Sequence, residues 1–156
     1  ASLAASDAHK EYVALMRWPG SIRELADAWV CDRTLHTDED KPQQARTEFD
    51  LAEAFRGCAL VRCRIHTGRY HQIRRHANHS GRHILGDTTH GKGRLNALFR
   101  EKYGLPRLFL HLHRIAMDHP RTGARMELTD PLPDDLAPVL ERLRYESRHG
   151  CPPSHS

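Results

Sequence analysis

Basic side chains are concentrated within residues 65–76. From residue 69 onwards they are Arg69, His71, Arg74, Arg75 and His76. Residues 60–66 alternate between apolar and polar side chains, which predicts a half-buried strand, and Thr67 and Gly68 interrupt that alternation. Ile73 and Ala77 then follow at helical spacing, which predicts a short helix. A strand, a tight turn and a basic helix would direct free main-chain N–H groups and several positive charges towards one region, and this arrangement favours an anion.

A metal site is the competing interpretation, because the chain contains 13 histidines. Four of them are close in sequence, namely His71, His76, His79 and His83. However, no His-Glu-x-x-His motif and no second Cys/His pair at ligand spacing accompany them. Arginines are interleaved among these histidines, and a guanidinium beside a dication is unfavourable. We therefore expect no metal.

The bulk composition favours a polyanionic partner on one face of a single domain. The 156 residues contain 24 Lys and Arg against 20 Asp and Glu, a net charge of only +4. The basic residues cluster between residues 56 and 125, whereas the acidic ones concentrate near both ends, so a local basic face is expected and nucleic acid is the natural partner. No apolar run approaches the ~20 residues of a membrane span, and no leader is recognisable. We expect a cytoplasmic protein without membrane contact, with Cys31, Cys58, Cys63 and Cys151 as free thiols.

The elements that would position the basic cluster are mostly strands. Alternation predicts strands over residues 12–18, 44–55, 60–66, 107–118 and 124–129. Helices are predicted around residues 22–30, directly after Gly68, over 95–103, and from about 134 to 143. Hairpin connections between several strands give an α+β class with a largely antiparallel mixed sheet flanked by short helices. Residues 1–9 are expected to form a disordered or truncated end, and residues 147–156 a loose tail.

Residues 66–76, followed by residues 84–91, resemble the third motif of the pseudouridine synthases, in the branch that modifies ribosomal and transfer RNA. Further matches in the same order are residues 10–15, 41–47, 94–96, 107–111 and 119–123. For residues 21–43 the resemblance implies, instead of the predicted helix, an irregular segment that crosses the substrate side. The resemblance extends from about residue 10 to residue 143 and is strongest to the tRNA pseudouridine synthase C members. It therefore implies RNA as the partner, with transfer RNA expected first and ribosomal RNA second. The family needs no metal or organic cofactor, so none is expected.

The resemblance also implies site residues. Arg74 matches the basic residue that pairs with the catalytic aspartate, and Ile73 matches an apolar residue packed on the substrate pocket. Tyr12 matches the tyrosine that stacks on the target base. Arg69, His71 and Arg75 are expected to contact RNA. Stacking a base on an aromatic ring is worth ~1–3 kcal/mol.

Each of these assignments has an ordinary structural alternative. Tyr12 could be one aromatic residue of a strand. Arg74 and Arg75 could form a solvated helix face. Arg69 and His71 could cap and orient the turn instead of contacting phosphate. Sequence alone leaves these alternatives open.

The catalytic aspartate of the family belongs to a His-Arg-Leu-Asp motif upstream of the tyrosine, and this motif does not occur in the 156 residues. Asp87 matches a position that the family uses structurally, so we do not assign it as the nucleophile. We expect residues 10–146 to be the C-terminal part of a catalytic domain that is inactive by itself. The alternative is a non-catalytic RNA-binding remnant of such a synthase.

Overall fold

A computed structural model describes residues 9–18 and 27–149 of the chain. Within these ranges a six-stranded sheet has the order β2-β5-β6-β1-β7-β8, and every neighbouring pair is antiparallel. A separate two-stranded sheet joins β3 to β4. The elements are β1 (His9–Arg17), β2 (Ala28–Cys31), β3 (Leu35–His36), β4 (Pro42–Gln43), β5 (Thr47–Ala54), β6 (Cys58–Ile65), α1 (Gln72–His79), α2 (Gly93–Tyr103), β7 (Leu110–Asp118), β8 (Arg125–Thr129) and α3 (Ala137–His149).

Strand β1 lies inside the sheet, paired with β6 on one side and β7 on the other. Tyr12 is opposite Cys63 of β6 and Leu112 of β7. The register against β7 shifts between Glu11 and Tyr12. Such irregularities redirect side chains and are common beside functional sites. The shift therefore occurs at the tyrosine that the resemblance assigns to the base.

Both faces of the sheet are covered. Ala14 and Met16 of β1 belong to one buried cluster, which also contains Ile73 and Ala77 of α1. Leu15 points the opposite way, as strand alternation requires, and belongs to a second cluster. From the helices that second cluster includes Phe99 and Tyr103 of α2 and Val139 and Leu143 of α3. Helix α1 thus packs on one face, and α2 and α3 pack on the other.

The predicted α+β class with a largely antiparallel sheet is confirmed. The helix predicted over residues 22–30 is wrong where the structure describes it, because Ala28–Cys31 forms strand β2 along the edge of β5. The Trp29 ring stacks on Phe49 with 4.7 Å between centroids, so packing against β5 outweighs the local helical spacing. The remaining residues of that predicted helix, up to residue 26, lie outside the described part.

The predicted ends also differ from the structure. Strand β1 begins at His9, inside the end that was expected to be loose, because the main chain pairs there with Ala116 of β7. Helix α3 continues through His149, past the predicted start of the tail at residue 147. Residues 1–8 and 150–156 lie outside the described part. No helix in that part is long and apolar enough to cross a bilayer.

Candidate active site

The turn before α1 is held by the buried side chain of Gln72. Its Oε1 accepts hydrogen bonds from the Thr67 hydroxyl at 2.7 Å and from the Arg69 main-chain N–H at 3.2 Å. Its Nε2 donates to the Arg46 carbonyl at 2.9 Å, which ties the turn to the residues before β5. The residue of this turn with left-handed backbone conformation is His71, which has φ of 49° at the helix N-cap. Sequence reasoning missed Gln72, although it lies within the matched motif.

His76 is a structural residue and does not belong to the exposed basic cluster. It is fully buried, and its Nδ1 lies 2.8 Å from the Thr47 hydroxyl. Its Nε2 lies 2.8 Å from the Arg33 carbonyl, which can only accept, so Nε2 carries the hydrogen. Burial lowers the pKa of His76, which favours the neutral ring, and in that ring Nδ1 accepts from the Thr47 hydroxyl. The expectation that His76 contributes charge towards an anion is therefore wrong.

Arg74 projects from α1 and forms a two-point ion pair with Asp87. The Nε atom donates to Oδ2 at 2.9 Å, and an Nη2 hydrogen goes to Oδ1 at 2.8 Å. The Asp87 side chain is fully buried, whereas 16% of the Arg74 side chain remains exposed. The resemblance implies that Arg74 pairs with the catalytic aspartate of the family, which lies upstream of the tyrosine. In the described residues its carboxylate partner is Asp87, 13 positions along the chain.

Asp87 is held as a carboxylate by four donors. Besides the two from Arg74, its Oδ1 accepts from the main-chain N–H groups of Thr89 at 3.0 Å and His90 at 2.9 Å. Burial alone would raise the pKa of Asp87, but these hydrogen bonds and the charge of Arg74 outweigh it and lower the pKa to about 2. Asn96 fixes the same turn, since its Oδ1 accepts from the Gly86 N–H and its Nδ2 donates to the Asp87 carbonyl, both at 2.9 Å.

A pair of histidines extends this polar network. Arg74 Nη1 lies 3.1 Å from His71 Nε2, and His71 Nδ1 lies 3.2 Å from His90 Nε2. A guanidinium can only donate, so His71 Nε2 accepts and Nδ1 carries the hydrogen that is donated to His90. Burial and the neighbouring charge of Arg74 lower the pKa of His71, in agreement with a neutral ring. In the part of the chain that the structure describes, no group of three or more His, Cys, Asp or Glu side chains could hold a metal ion.

Most of the predicted site residues lie around one cavity of about 340 Å³. Its walls include Tyr12, Arg69, His71, Ile73 and Arg74. Burial raises the pKa of Tyr12, so its ring stays uncharged. Arg75 does not line this cavity but a neighbouring one of about 480 Å³, and Arg69 and Gly68 contribute to both.

The first cavity has the chemistry of a site for a flat, neutral, polar ring. It offers an aromatic face from Tyr12, apolar packing from Ile73 and hydrogen-bond donors from Arg74. Its described walls contain no acidic side chain. Asp87 is not one of the lining residues, and its carboxylate accepts hydrogen bonds from Arg74 and from the turn. The cavity can therefore hold a base, whereas a nucleophilic carboxylate is not among its described lining residues.

Residues 1–79 match the sequence profile of the family described as RNA pseudouridylate synthase. The chain therefore belongs to this family. One relative is ribosomal large subunit pseudouridine synthase D of Xanthomonas campestris pv. campestris, 33% identical over 155 residues, which are 93% of this chain and 47% of that protein. Another is ribosomal large subunit pseudouridine synthase C of Haemophilus ducreyi, 33% identical over 88% of this chain and 45% of that protein. The chain thus spans about half the length of these curated relatives.

Two solved structures share the fold. Human RNA pseudouridylate synthase domain containing 4 superposes with a TM-score of 0.70, at 22% identity, over 89% of this chain and 63% of that one. Human RNA pseudouridylate synthase domain containing 1 gives a TM-score of 0.64, also at 22% identity, over 96% of this chain and 69% of that one. They support the α+β antiparallel architecture described above.

Proposed function

We propose that this chain is the part of an RNA pseudouridine synthase that holds the target uridine, and that the whole protein isomerises uridine in large-subunit ribosomal RNA. The observation that carries the proposal is the common cavity of Tyr12, Ile73 and Arg74. The resemblance to the family independently assigns these three residues to the substrate pocket. Ribosomal RNA replaces the transfer RNA expected first, because the named relatives are ribosomal large subunit synthases.

In this proposal Tyr12 stacks on the uracil ring and Ile73 packs against its edge. The base must be flipped out of its RNA context, and an enclosed pocket then screens the reacting bonds from water. The reaction breaks the bond from C1′ of the ribose to N1 of uracil and forms one from C1′ to C5. The base is kept during its rotation. C5 loses a proton and N1 gains one, so the product is an isomer of the substrate and atoms balance without a cofactor.

Arg74 can still donate hydrogen bonds to a second anion although it already binds Asp87. A guanidinium has five N–H groups, and Nε, one Nη1 hydrogen and one Nη2 hydrogen are occupied by Asp87 and His71. One hydrogen on each terminal nitrogen stays available, and 16% of the side chain is exposed. We propose that these hydrogens meet the nucleophilic aspartate of the whole protein, while Asp87 fixes the guanidinium in place.

The test uses the full product of the gene and measures pseudouridine in ribosomal and transfer RNA transcripts by chromatography of the digested nucleosides, because pseudouridine and uridine have the same mass. We expect product in large-subunit ribosomal RNA, and a decrease of about 100-fold or more in rate for Arg74→Ala, the usual effect of removing one preorganised charge. Arg144→Ala is the matched control, because Arg144 also binds a carboxylate, that of Glu53 at 3.0 Å, but lies on α3 outside the cavity. Full activity of Arg74→Ala would overturn its role, and product in transfer RNA alone would overturn the substrate.

A second candidate function is RNA binding without catalysis. It is favoured by one observation, namely that the described walls of the cavity carry no carboxylate. The same assay separates the two candidates, since a remnant would bind the RNA and yield no pseudouridine even as the full gene product.

A further inference from the structure

Tyr70 is an aromatic side chain exposed to solvent. It lies next to the 340 Å³ cavity proposed to hold the target uridine, which is called the uridine cavity below. Its exposed fraction is 72%, and its ring stacks on His71 with 3.8 Å between centroids and 19° between planes. The His71 ring beneath it is fixed by its contacts with Arg74 and His90. One face of Tyr70 is therefore supported by a rigid ring, and the side chain is prepositioned to stack on a second flat group.

Tyr70 lines the 480 Å³ cavity together with two arginines, Arg69 and Arg75. Arg75 donates to the carbonyls of Tyr70 at 3.3 Å and His36 at 2.9 Å, and Arg69 Nε donates to the Gln44 carbonyl at 2.9 Å. These bonds fix both guanidinium groups without neutralising them. Neither forms an ion pair with a carboxylate among the described residues, in contrast to Arg74.

A supported aromatic face beside two fixed, uncompensated cations matches the chemistry of a nucleotide, whose base stacks and whose phosphate carries the charge. Asp38 also lines this cavity, and its carboxylate can accept hydrogen bonds from the amino groups of a base. The cavity shares Arg69 and Gly68 with the uridine cavity, so a chain that places a uridine in one can continue into the other.

We propose that the 480 Å³ cavity is a flanking-nucleotide subsite, formed chiefly by Tyr70, Arg69 and Arg75. The nucleotide next to the target uridine stacks its base on Tyr70, and its phosphate lies against the two arginines. This inference rests on the proposed function for the location of the target uridine. It adds a residue that selects the RNA context of the modified position and takes no part in the reaction.

The test is a double-mutant cycle with the full gene product and a 5′-labelled heptaribonucleotide that contains one central uridine. The base on either side of the uridine is removed in turn to leave an abasic ribose, and binding is followed by fluorescence anisotropy. We expect Tyr70→Ala to weaken binding of the intact RNA by roughly 5- to 150-fold, the range for one stacked base. Against one of the two abasic RNAs, wild type and Tyr70→Ala should bind equally.

Two further variants make the result specific. Tyr70→Phe keeps the stacking face and should bind like wild type. Tyr145→Ala should also bind like wild type. Tyr145 is 58% exposed and its ring contacts the His149 ring at 4.3 Å between centroids, tilted by 35°, but it lines neither cavity. Unchanged binding by Tyr70→Ala, or an equal loss with all three RNAs, would overturn the subsite.

The outcome is separable from that of the proposed function. Pseudouridine formation by wild type tests the activity, whereas the cycle tests only where the flanking base binds. If wild type is active, Tyr70→Ala should raise KM and leave kcat nearly unchanged, because the lost contact holds the RNA and does not touch the reacting bonds. A fall in kcat at unchanged KM would contradict the assignment.

Discussion

At the scale of single residues, the guanidinium of Arg74 is the centre of the site. It joins α1 to the turn at Asp87 and, through His71, to His90. Each residue in this series of hydrogen bonds orients the next one. Asp87 orients Arg74, and Arg74 determines which nitrogen of His71 carries the hydrogen. The resemblance identified Arg74 from a motif, but the motif could not show that Asp87 is its neighbour.

The Arg74–Asp87 pair should make a large contribution to stability. We expect Asp87→Asn to lower the free energy of unfolding at pH 7 by about 3 kcal/mol, because it leaves the mostly buried guanidinium of Arg74 without its counter-charge. Urea unfolding followed by circular dichroism measures this loss. Asp135→Asn is the control, because Asp135 also binds an arginine at two points but is 44% exposed, and the effect of an exposed pair is small. Equal losses for the two variants would contradict the prediction.

The same pair should leave a signature in the pH dependence of stability. The folded-state pKa of Asp87 is about 2, below its ordinary value of 3.8, so the folded state binds the proton less readily than the unfolded state. The resulting stabilisation, about 2 kcal/mol, is fully present above pH 4 and is lost as the pH falls through 2. Urea titrations between pH 2 and 5 should therefore give a flatter curve for Asp87→Asn than for wild type. Parallel curves would show that Asp87 does not carry this proton linkage.

At the scale of elements, the turn that presents Asp87 is pinned between β1 and the residues before β7. Leu85 donates its N–H to the Leu15 carbonyl at 2.8 Å and accepts from the Phe109 N–H at 3.0 Å. Met16 and Ile84 form an isolated antiparallel bridge. The chain must then reverse closely against Arg107 at Gly86, where φ is 86°. The sheet thereby fixes the position of the carboxylate that orients Arg74.

Gly86→Ala should disrupt this turn. An added Cβ would lie against the Arg107 carbonyl and 2.9 Å from the Leu108 Cα, in addition to the strain of a positive φ. We expect a loss of about 3 kcal/mol in the free energy of unfolding, the sum of the left-handed strain and the overpacking. Gly57→Ala separates the two effects, because Gly57 has φ of 81° but open space around its Cβ position, and should lose only about 1 kcal/mol. Similar thermal or urea stabilities for the two variants would show that the close approach to Arg107 is unimportant.

Across the whole molecule, the positive charge available to bind RNA is the part that carboxylates of the protein do not neutralise. Some arginines on the strands and on α3 pair with acids, as in the Arg62–Asp50 and Arg144–Glu53 pairs at 2.8 and 3.0 Å. Arg69 and Arg75 are held instead by carbonyl groups. A net charge of +4 therefore understates the local field at the flanking-nucleotide subsite.

This distribution predicts which arginine controls the salt dependence of RNA binding. If Arg75 neutralises one phosphate, Arg75→Gln should reduce the slope of log K against log salt by about 0.7–0.9. Arg144→Gln should leave the slope unchanged, because its charge is already compensated by Glu53. Binding of a ribosomal RNA fragment measured between low and moderate NaCl gives both slopes, and equal slopes for Arg75→Gln and wild type would remove Arg75 from the RNA contact.

The features that depend on neighbours along the chain could be predicted from the order of the amino acids. Strict alternation predicted the strand that became β7, and the change from alternation to helical spacing after Gly68 predicted α1. The motif around Arg74 also led to the family, which the comparisons established. Periodicity succeeds in these segments because the local pattern of side chains agrees with the element that the tertiary structure forms there.

Features whose partners are distant in the chain became visible in the folded structure. Residues 28–31 form a strand because β5 offers an open edge there. Burial lowers the pKa of His76, and its place between Thr47 and Arg33 is set by the fold. The pairing of Arg74 with Asp87 depends on a turn that the sheet holds in place. Burial and hydrogen-bond partners set the charge of these groups, and the order of residues in a sequence does not specify either one.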